Sequence, residues 1–327
     1  MRLSNALLRE ITVGAVEIKE DSDGRLRFCK YTESQMSGFG PWNEKSPVFC
    51  TTGIRLDFHT NSKKFVFVAS LPGKYELYID GLLRRQFKIA PAEKGGEFDV
   101  LERIETDLCD VLGGAIDECR VTLYLPSHAI GQLDFVELDD GAFVKKHSFS
   151  RKFLMIGDSL TQGWDSVFDS LSYASRVSRF FDAESIIQGR GGSCYKVETL
   201  EKLPGFDPDV VTVAYGTNDF SRCHTLEEMK ENVSAYLDKL CEIYGDKKVF
   251  IISPIWRESQ ERPMGSFRDC CALVGDEAKK RGFIHVDGLS LVPPMCKELY
   301  TDGLHLNDLG FSFYSENLIR VINEYVK

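Results

Sequence analysis

No stretch of the 327 residues approaches the roughly 20 consecutive apolar positions that a membrane-spanning helix needs. Basic blocks are missing too. Lys and Arg number 40 against 50 Asp and Glu, a net charge of −10, which argues against a nucleic-acid surface and disfavours anionic membranes. The ten cysteines show no C-x-x-C, and Cys270 and Cys271 are adjacent. H-E-x-x-H is absent as well, so there is no recognisable zinc set and no metal or cofactor is expected. Met1–Glu10 has no long apolar core and does not read as an export signal. The expectation is therefore a cytoplasmic protein with reduced, mostly buried thiols. Two nucleotide fingerprints fail. Gly189-Arg190-Gly191-Gly192-Ser193-Cys194 has cysteine where G-x-G-x-x-G needs its last glycine, and no Walker lysine follows.

What remains is an ordinary globular balance, 43% hydrophobic and 28% charged, long enough for two domains. The chain divides by period. To about residue 148 it reads as β, with Ile54–His59 alternating apolar and polar. Further strands are expected at Phe65–Ala69, Arg120–Leu125 and Gln132–Leu138. Tyr75–Ile79 and Leu82–Ile89 flank Asp80-Gly81, a preferred type I′ hairpin pair. No convincing helix interrupts them, so residues 1–148 read as a β-sandwich or jelly roll.

From 149 to 327 short apolar strands alternate with helices. The strands are Phe153–Ile156, Ser185–Ile187, Val210–Tyr215, Val249–Ile252 and Phe283–Val286. Thr225-Leu226-Glu227-Glu228 reads as a capping box opening a helix that Gly245 stops. Further helices are expected over Phe267–Arg281 and Leu309–Tyr325. The alternation predicts an α/β domain with a three-layer parallel sheet.

Four polar blocks stand out in this half: Gly157-Asp158-Ser159-Leu160, Gly189-Arg190-Gly191-Gly192-Ser193, Gly216-Thr217-Asn218-Asp219 and Asp302-Gly303-Leu304-His305. Three follow strands, and an open parallel sheet gathers such loops along one edge. A serine hydroxyl needs a base within hydrogen-bond reach, and His305 is the candidate. A carboxylate three residues earlier, Asp302, can orient the imidazole. Each block alone has a bland reading as a turn, a cap or a surface loop. His59, His128, His147, His224 and His285 lack such company and read as structural or solvated. G-x-S-x-G is absent around Ser159, where the fifth residue is Thr161, which argues against the α/β-hydrolase elbow.

Taken in order, the four blocks resemble the SGNH superfamily, the GDSL esterases and lipases, over about residues 151 to 327. The resemblance implies a flavodoxin-like sheet, with Ser159 as nucleophile, His305 as base and Asp302 orienting it. It also implies an oxyanion hole from the Ser159 N–H, a second-block glycine N–H and the Asn218 side chain. Gly192 is the expected glycine donor and Gly191 its rival. The family's asparagine shortly before that glycine is not present in Ile187-Gln188-Gly189.

A β-sandwich ahead of such a domain is similar to carbohydrate esterase family two and related acetylxylan esterases, and Gly53–Ser62 looks similar to their N-terminal module. That likeness implies a serine esterase acting on O-acetylated sugars. Trp256, just after a strand, would stack on a sugar face or close an acetyl pocket; packing between the domains is the equal alternative, and Trp164 has the same two readings. The alternative activity is a GDSL lipase or thioesterase acting on lipid or acyl-CoA esters, although no long apolar loop adjoins the blocks as a lid would. An inactive glycan-binding protein is a third reading. The expected partner is a small or oligosaccharide ester; the oligomeric state stays open.

Overall fold

The structure is a computed structural model that describes residues 1–41, 47–89, 102–108 and 117–326. The chain forms two compact units. One comprises Met1–Lys30, Glu44–Phe149 and Phe168–Ser170; the other comprises Tyr31–Asn43, Ser150–Val167 and Leu171–Lys327.

The first unit is built from antiparallel sheets around one apolar core that includes Leu56, Phe58, Phe67, Leu77 and Leu123. Arg55–Thr60 pairs with Cys119–Tyr124, which in turn pairs with Gly73–Ile79. The hairpin at Asp80-Gly81 has φ of 49° and 78°. Positive φ at both central residues is what a type I′ turn requires.

Three local readings of the sequence need correction. Gln132–Leu138 is two strands: Gln132–Leu133 pairs with Leu26–Cys29, while Phe135–Leu138 pairs with Lys64–Ala69. The chain changes sheets at Asp134, whose N–H donates to Val68 O at 2.9 Å, so unbroken alternation hides a bend. Helices also occur in the first half, at Asn5–Ile11 and Glu33–Gly38. The second is opened by a Thr32/Gln35 capping box, in which each side chain accepts the other residue's backbone N–H. At Thr225 the box is only half formed. Its hydroxyl accepts from the Glu228 N–H, but the Glu228 carboxylate accepts from the His224 N–H at 2.7 Å instead.

The second unit carries five parallel strands: β1 (Arg151–Gly157), β2 (Ala183–Gly189), β3 (Val210–Ala214), β4 (Lys248–Ile252) and β5 (Ile284–Val286). Their order is β2-β1-β3-β4-β5. All five residues of β3 are buried, as expected of a central parallel strand covered on both faces. Helix 173–180 packs with helix 308–325, and helix 226–244 with helix 267–280. Within this unit the segment Tyr31–Asn43 is tied to the end of β2. Gln35 and Gln188 exchange side-chain hydrogen bonds at 2.9 and 3.0 Å, and Gln35 also donates to Thr199 O.

The nine cysteines among the described residues form no disulfide; Cys109 lies outside them. Among the described residues no helix is long and apolar enough to cross a membrane.

Candidate active site

Ser159 is the first residue of a one-turn helix, Ser159–Gln162, that starts immediately beyond β1. Asp158 caps it by accepting the Leu160 N–H at 3.0 Å. The cap leaves Ser159 at N1, where backbone N–H groups have no intrahelical acceptor. β2 ends against this turn so closely that a Cβ on Gly189 would meet Gln162 N at 2.2 Å. Only glycine fits there, and the first two polar blocks are thereby set side by side.

His305 comes from the loop before the last helix. An antiparallel bridge between Tyr300 and Leu306 closes that loop, with Thr301 N donating to His305 O at 2.9 Å. Asn307 then caps the helix, accepting from Leu309 and Gly310. The result brings the His305 Nε2 to 2.9 Å from Ser159 Oγ across 146 positions of sequence. On the other side, His305 Nδ1 lies 2.8 Å from Asp302 Oδ2. With Nδ1 donating to the carboxylate, Nε2 is left as the acceptor facing the hydroxyl. Asp302 Oδ1 is itself held by the N–H groups of Leu304 and His305. Partial burial pushes the Asp302 carboxyl up, but the hydrogen bonds from His305 backbone and ring and from Leu304 outweigh it, so it lies below the usual aspartate value.

The two candidate glycines differ in what their N–H groups do. Gly191 N donates to Gln162 Oε1 at 2.7 Å. Gly192 sits at φ +77°, its carbonyl accepts from Arg222 at 2.6 Å, and no described residue accepts its N–H. Asn218 is the second residue of helix Thr217–Arg222, just beyond β3. Its Nδ2 donates to Ser193 O at 3.0 Å and reaches Asp158 Oδ2 at 3.4 Å. The second distance is too long for a strong bond, so that hydrogen is only loosely held.

Two buried carboxyls lie beneath this edge. Burial pushes Asp158 up to about 7 and Asp219 up to about 6. Asp219 accepts the Tyr195 N–H at 3.0 Å.

The two candidate indoles are placed differently. Trp164 is 40% exposed, its ring centroid lies 6.1 Å from that of His305, and its backbone N–H donates to Ser159 O at 2.8 Å. Trp256 is half-buried, packed on the core and edge-on to Tyr300 at 5.1 Å. Asp165, Asp302 and His305 offer potential metal-ligand atoms within 4.8 Å of one another. Those of Asp302 and His305 already face each other, and Asp165 accepts the Thr301 hydroxyl.

Gln162 and Arg257 were not legible as site residues. Gln162 lies three positions after Ser159, a helical spacing that marks one face. Arg257 directly follows Trp256 beyond β4, at the same sheet edge.

Residues 155–312 match the model of the GDSL-like Lipase/Acylhydrolase family. An isoamyl acetate-hydrolyzing esterase of Schizosaccharomyces pombe is 25% identical over 200 residues, which are 54% of this chain and 78% of that protein. Among solved structures, a salicylyl-acyltransferase of a tetracycline biosynthetic pathway has a TM-score of 0.78 at 17% identity, covering 96% of this chain and 95% of the other. A family two carbohydrate esterase from Clostridium thermocellum has a TM-score of 0.63 at 15% identity, covering 84% and 93%. At those identities the two structures speak for a shared fold.

Proposed function

We propose that this chain, whose residues 155–312 carry a GDSL-like lipase/acylhydrolase domain, is a serine esterase that removes small acyl groups, acetyl foremost, from carbohydrate O-esters. The observation that carries the reading is the unbroken hydrogen-bonded line Ser159–His305–Asp302.

In this mechanism Ser159 Oγ attacks the ester carbonyl carbon while its proton passes to His305 Nε2. The imidazolium that forms is stabilised by the Asp302 carboxylate. The carbonyl oxygen takes up the negative charge, and the N–H groups of Ser159 and Gly192 and the Asn218 amide receive it. Fixed donors of this kind are typically worth about 10²–10³ in rate each. Turning Asn218 toward that oxygen costs one long contact to Asp158 and keeps the bond to Ser193 O. The intermediate collapses as the C–O bond to the alcohol breaks and His305 returns the proton to it. Water then attacks the acyl-serine by the same route, releasing the acid and free Ser159.

Support for a small acyl group on a sugar comes from three sources. The curated relative is named for an acetate ester. A neighbour in fold is a carbohydrate esterase. An exposed indole, Trp164, stands beside His305, and Trp256 is the second candidate platform for a sugar ring.

The test is acetate release from a panel of acetylated mono- and xylo-oligosaccharides, run beside nitrophenyl esters of increasing acyl length. Acetyl esters are expected to be cleaved fastest. Cleavage of long-chain esters alone, with acetylated sugars and nitrophenyl acetate untouched, would overturn the substrate assignment.

A further inference from the structure

We propose that Arg257 is a positioning residue for Asn218, holding the helix turn that carries this amide and placing behind it a positive charge that no carboxylate contacts directly. The inference rests on Asn218 being an oxyanion donor.

Arg257 lies on the loop after β4 and is 6% exposed. Its Nη1 donates to Thr217 O at 2.9 Å, Thr217 Oγ1 at 3.2 Å and Ser221 Oγ at 2.9 Å. Those residues flank Asn218 on the same short helix. All three acceptors are neutral, and among the described residues no carboxylate forms an ion pair with this guanidinium. Its Nε is buried without a partner. The guanidinium is packed by Phe220 at 5.4 Å and Phe267 at 6.0 Å from the ring centroids. Aromatic faces attract a cation but do not neutralise it. Burial, then the charge of Arg262, pull its pKa below the ordinary arginine value, against a weaker opposing pull from Cys270 and the more distant Asp302 carboxylate.

A buried cation without a carboxylate in direct contact is a costly arrangement. A neutral side chain could tie the same turn at less cost. The reaction, however, creates one anion at this edge, the carbonyl oxygen facing Asn218. A fixed positive charge nearby gains most when that anion forms, so it favours the transition state over the neutral ester.

The full-length protein is assayed with nitrophenyl acetate. For Arg257→Met we expect kcat to fall about 10- to 100-fold with KM within about twofold, and the affinity for an alkyl boronic acid, which mimics the tetrahedral state, to fall in step. Arg257→Lys keeps a charge and three donors and should recover most of the loss. In an Asn218→Ala background, Arg257→Met should cost several-fold less than in the wild type, because the positioning part of its effect acts through that amide and coupled residues are non-additive. Ser221→Ala, which removes one clamp acceptor on the surface side, should lower kcat about threefold by the same route, and it keeps the question open to measurement if Arg257→Met fails to fold.

Equal costs of Arg257→Met in both backgrounds, a change in KM alone, or a lower Tm with unchanged kcat would each overturn the proposal. So would an unchanged kcat in Ser221→Ala where Arg257→Met is unfolded. Asn218→Ala at the wild-type rate would remove the donor assignment and this inference with it. An impaired Asn218→Ala beside a fully active Arg257→Met would remove this inference alone.

Discussion

Gln162 Oε1 accepts the Gly191 N–H at 2.7 Å, which ties the turn bearing Ser159 to the loop bearing Gly192, the proposed glycine donor. Gln162 is fully buried and Gly191 half-buried, so the bond is partly shielded from water. Replacing it by alanine should free the Gly191 N–H and loosen the peptide that presents Gly192. We expect kcat for nitrophenyl acetate to fall about tenfold, since small misplacements of catalytic groups are expensive. Gln162→Glu, which keeps an acceptor, should lose less. Fluorophosphonate labelling of Ser159 should persist in both, separating a loosened donor from a lost nucleophile.

Ser159→Ala and His305→Ala should each lower kcat by about 10⁴–10⁶ while circular dichroism and Tm stay near wild type. Asp302→Asn should lose less, about 10²–10⁴, because the ring keeps its serine contact but its tautomer is no longer dictated by a carboxylate. Steady-state rates and fluorophosphonate labelling check all three. A fully active Ser159→Ala protein would end the proposed mechanism.

The raised pKa of Asp158, about 7, has a consequence for stability. Its unfolded-state value lies near 3.9, so between about pH 4 and 7 the native state holds a proton that the unfolded chain has released. Stability then falls as pH rises through this window, the reverse of a salt-bridged aspartate. Asp219, raised to about 6 by burial, acts in the same direction. Asp158→Asn cannot titrate, and its amide oxygen can still cap Leu160. The difference in Tm between Asp158→Asn and wild type should therefore grow in the variant's favour from pH 5 to pH 8 in thermal melts. A difference that stays constant across that range would refute the assignment.

The two indoles should separate by kinetics. Trp164 stands exposed beside His305, and Trp164→Ala should raise KM for acetylated sugars about fivefold, close to 1 kcal/mol of binding, with Tm little changed. Trp256 is half-buried against Tyr300 and the core. Trp256→Ala should cost on the order of 2 kcal/mol of stability and change KM less. Denaturant melts and sugar kinetics on both variants decide between the roles.

The parallel sheet was readable because its inner strands are buried on both faces and appear as short apolar runs such as Phe153–Ile156. Polar blocks at their ends were readable for the same reason, since a strand fixes where the next loop begins. What stayed hidden depended on distant contacts or on bends. The break at Asp134 leaves the alternation of Gln132–Leu138 intact while moving its halves to different sheets. Helix Glu33–Gly38 carried a readable signal, the Thr32/Gln35 box, but in a region dominated by alternation. No local pattern announces that Gln162 will meet Gly191, or that Arg257 will meet Thr217 and Ser221. Those pairs are 29, 40 and 36 positions apart, and only the folded sheet edge joins them.

The bonds between Gln35 and Gln188 also bear on how the polypeptide can be dissected. A fragment starting at residue 149 would retain every strand of the parallel sheet yet lose the Gln35 side chain that exchanges buried hydrogen bonds with Gln188 at the end of β2. Such a truncation should express poorly or recover only when a peptide spanning residues 31–41 is supplied in trans, so that the unit behaves as a split protein rather than as a detachable tail.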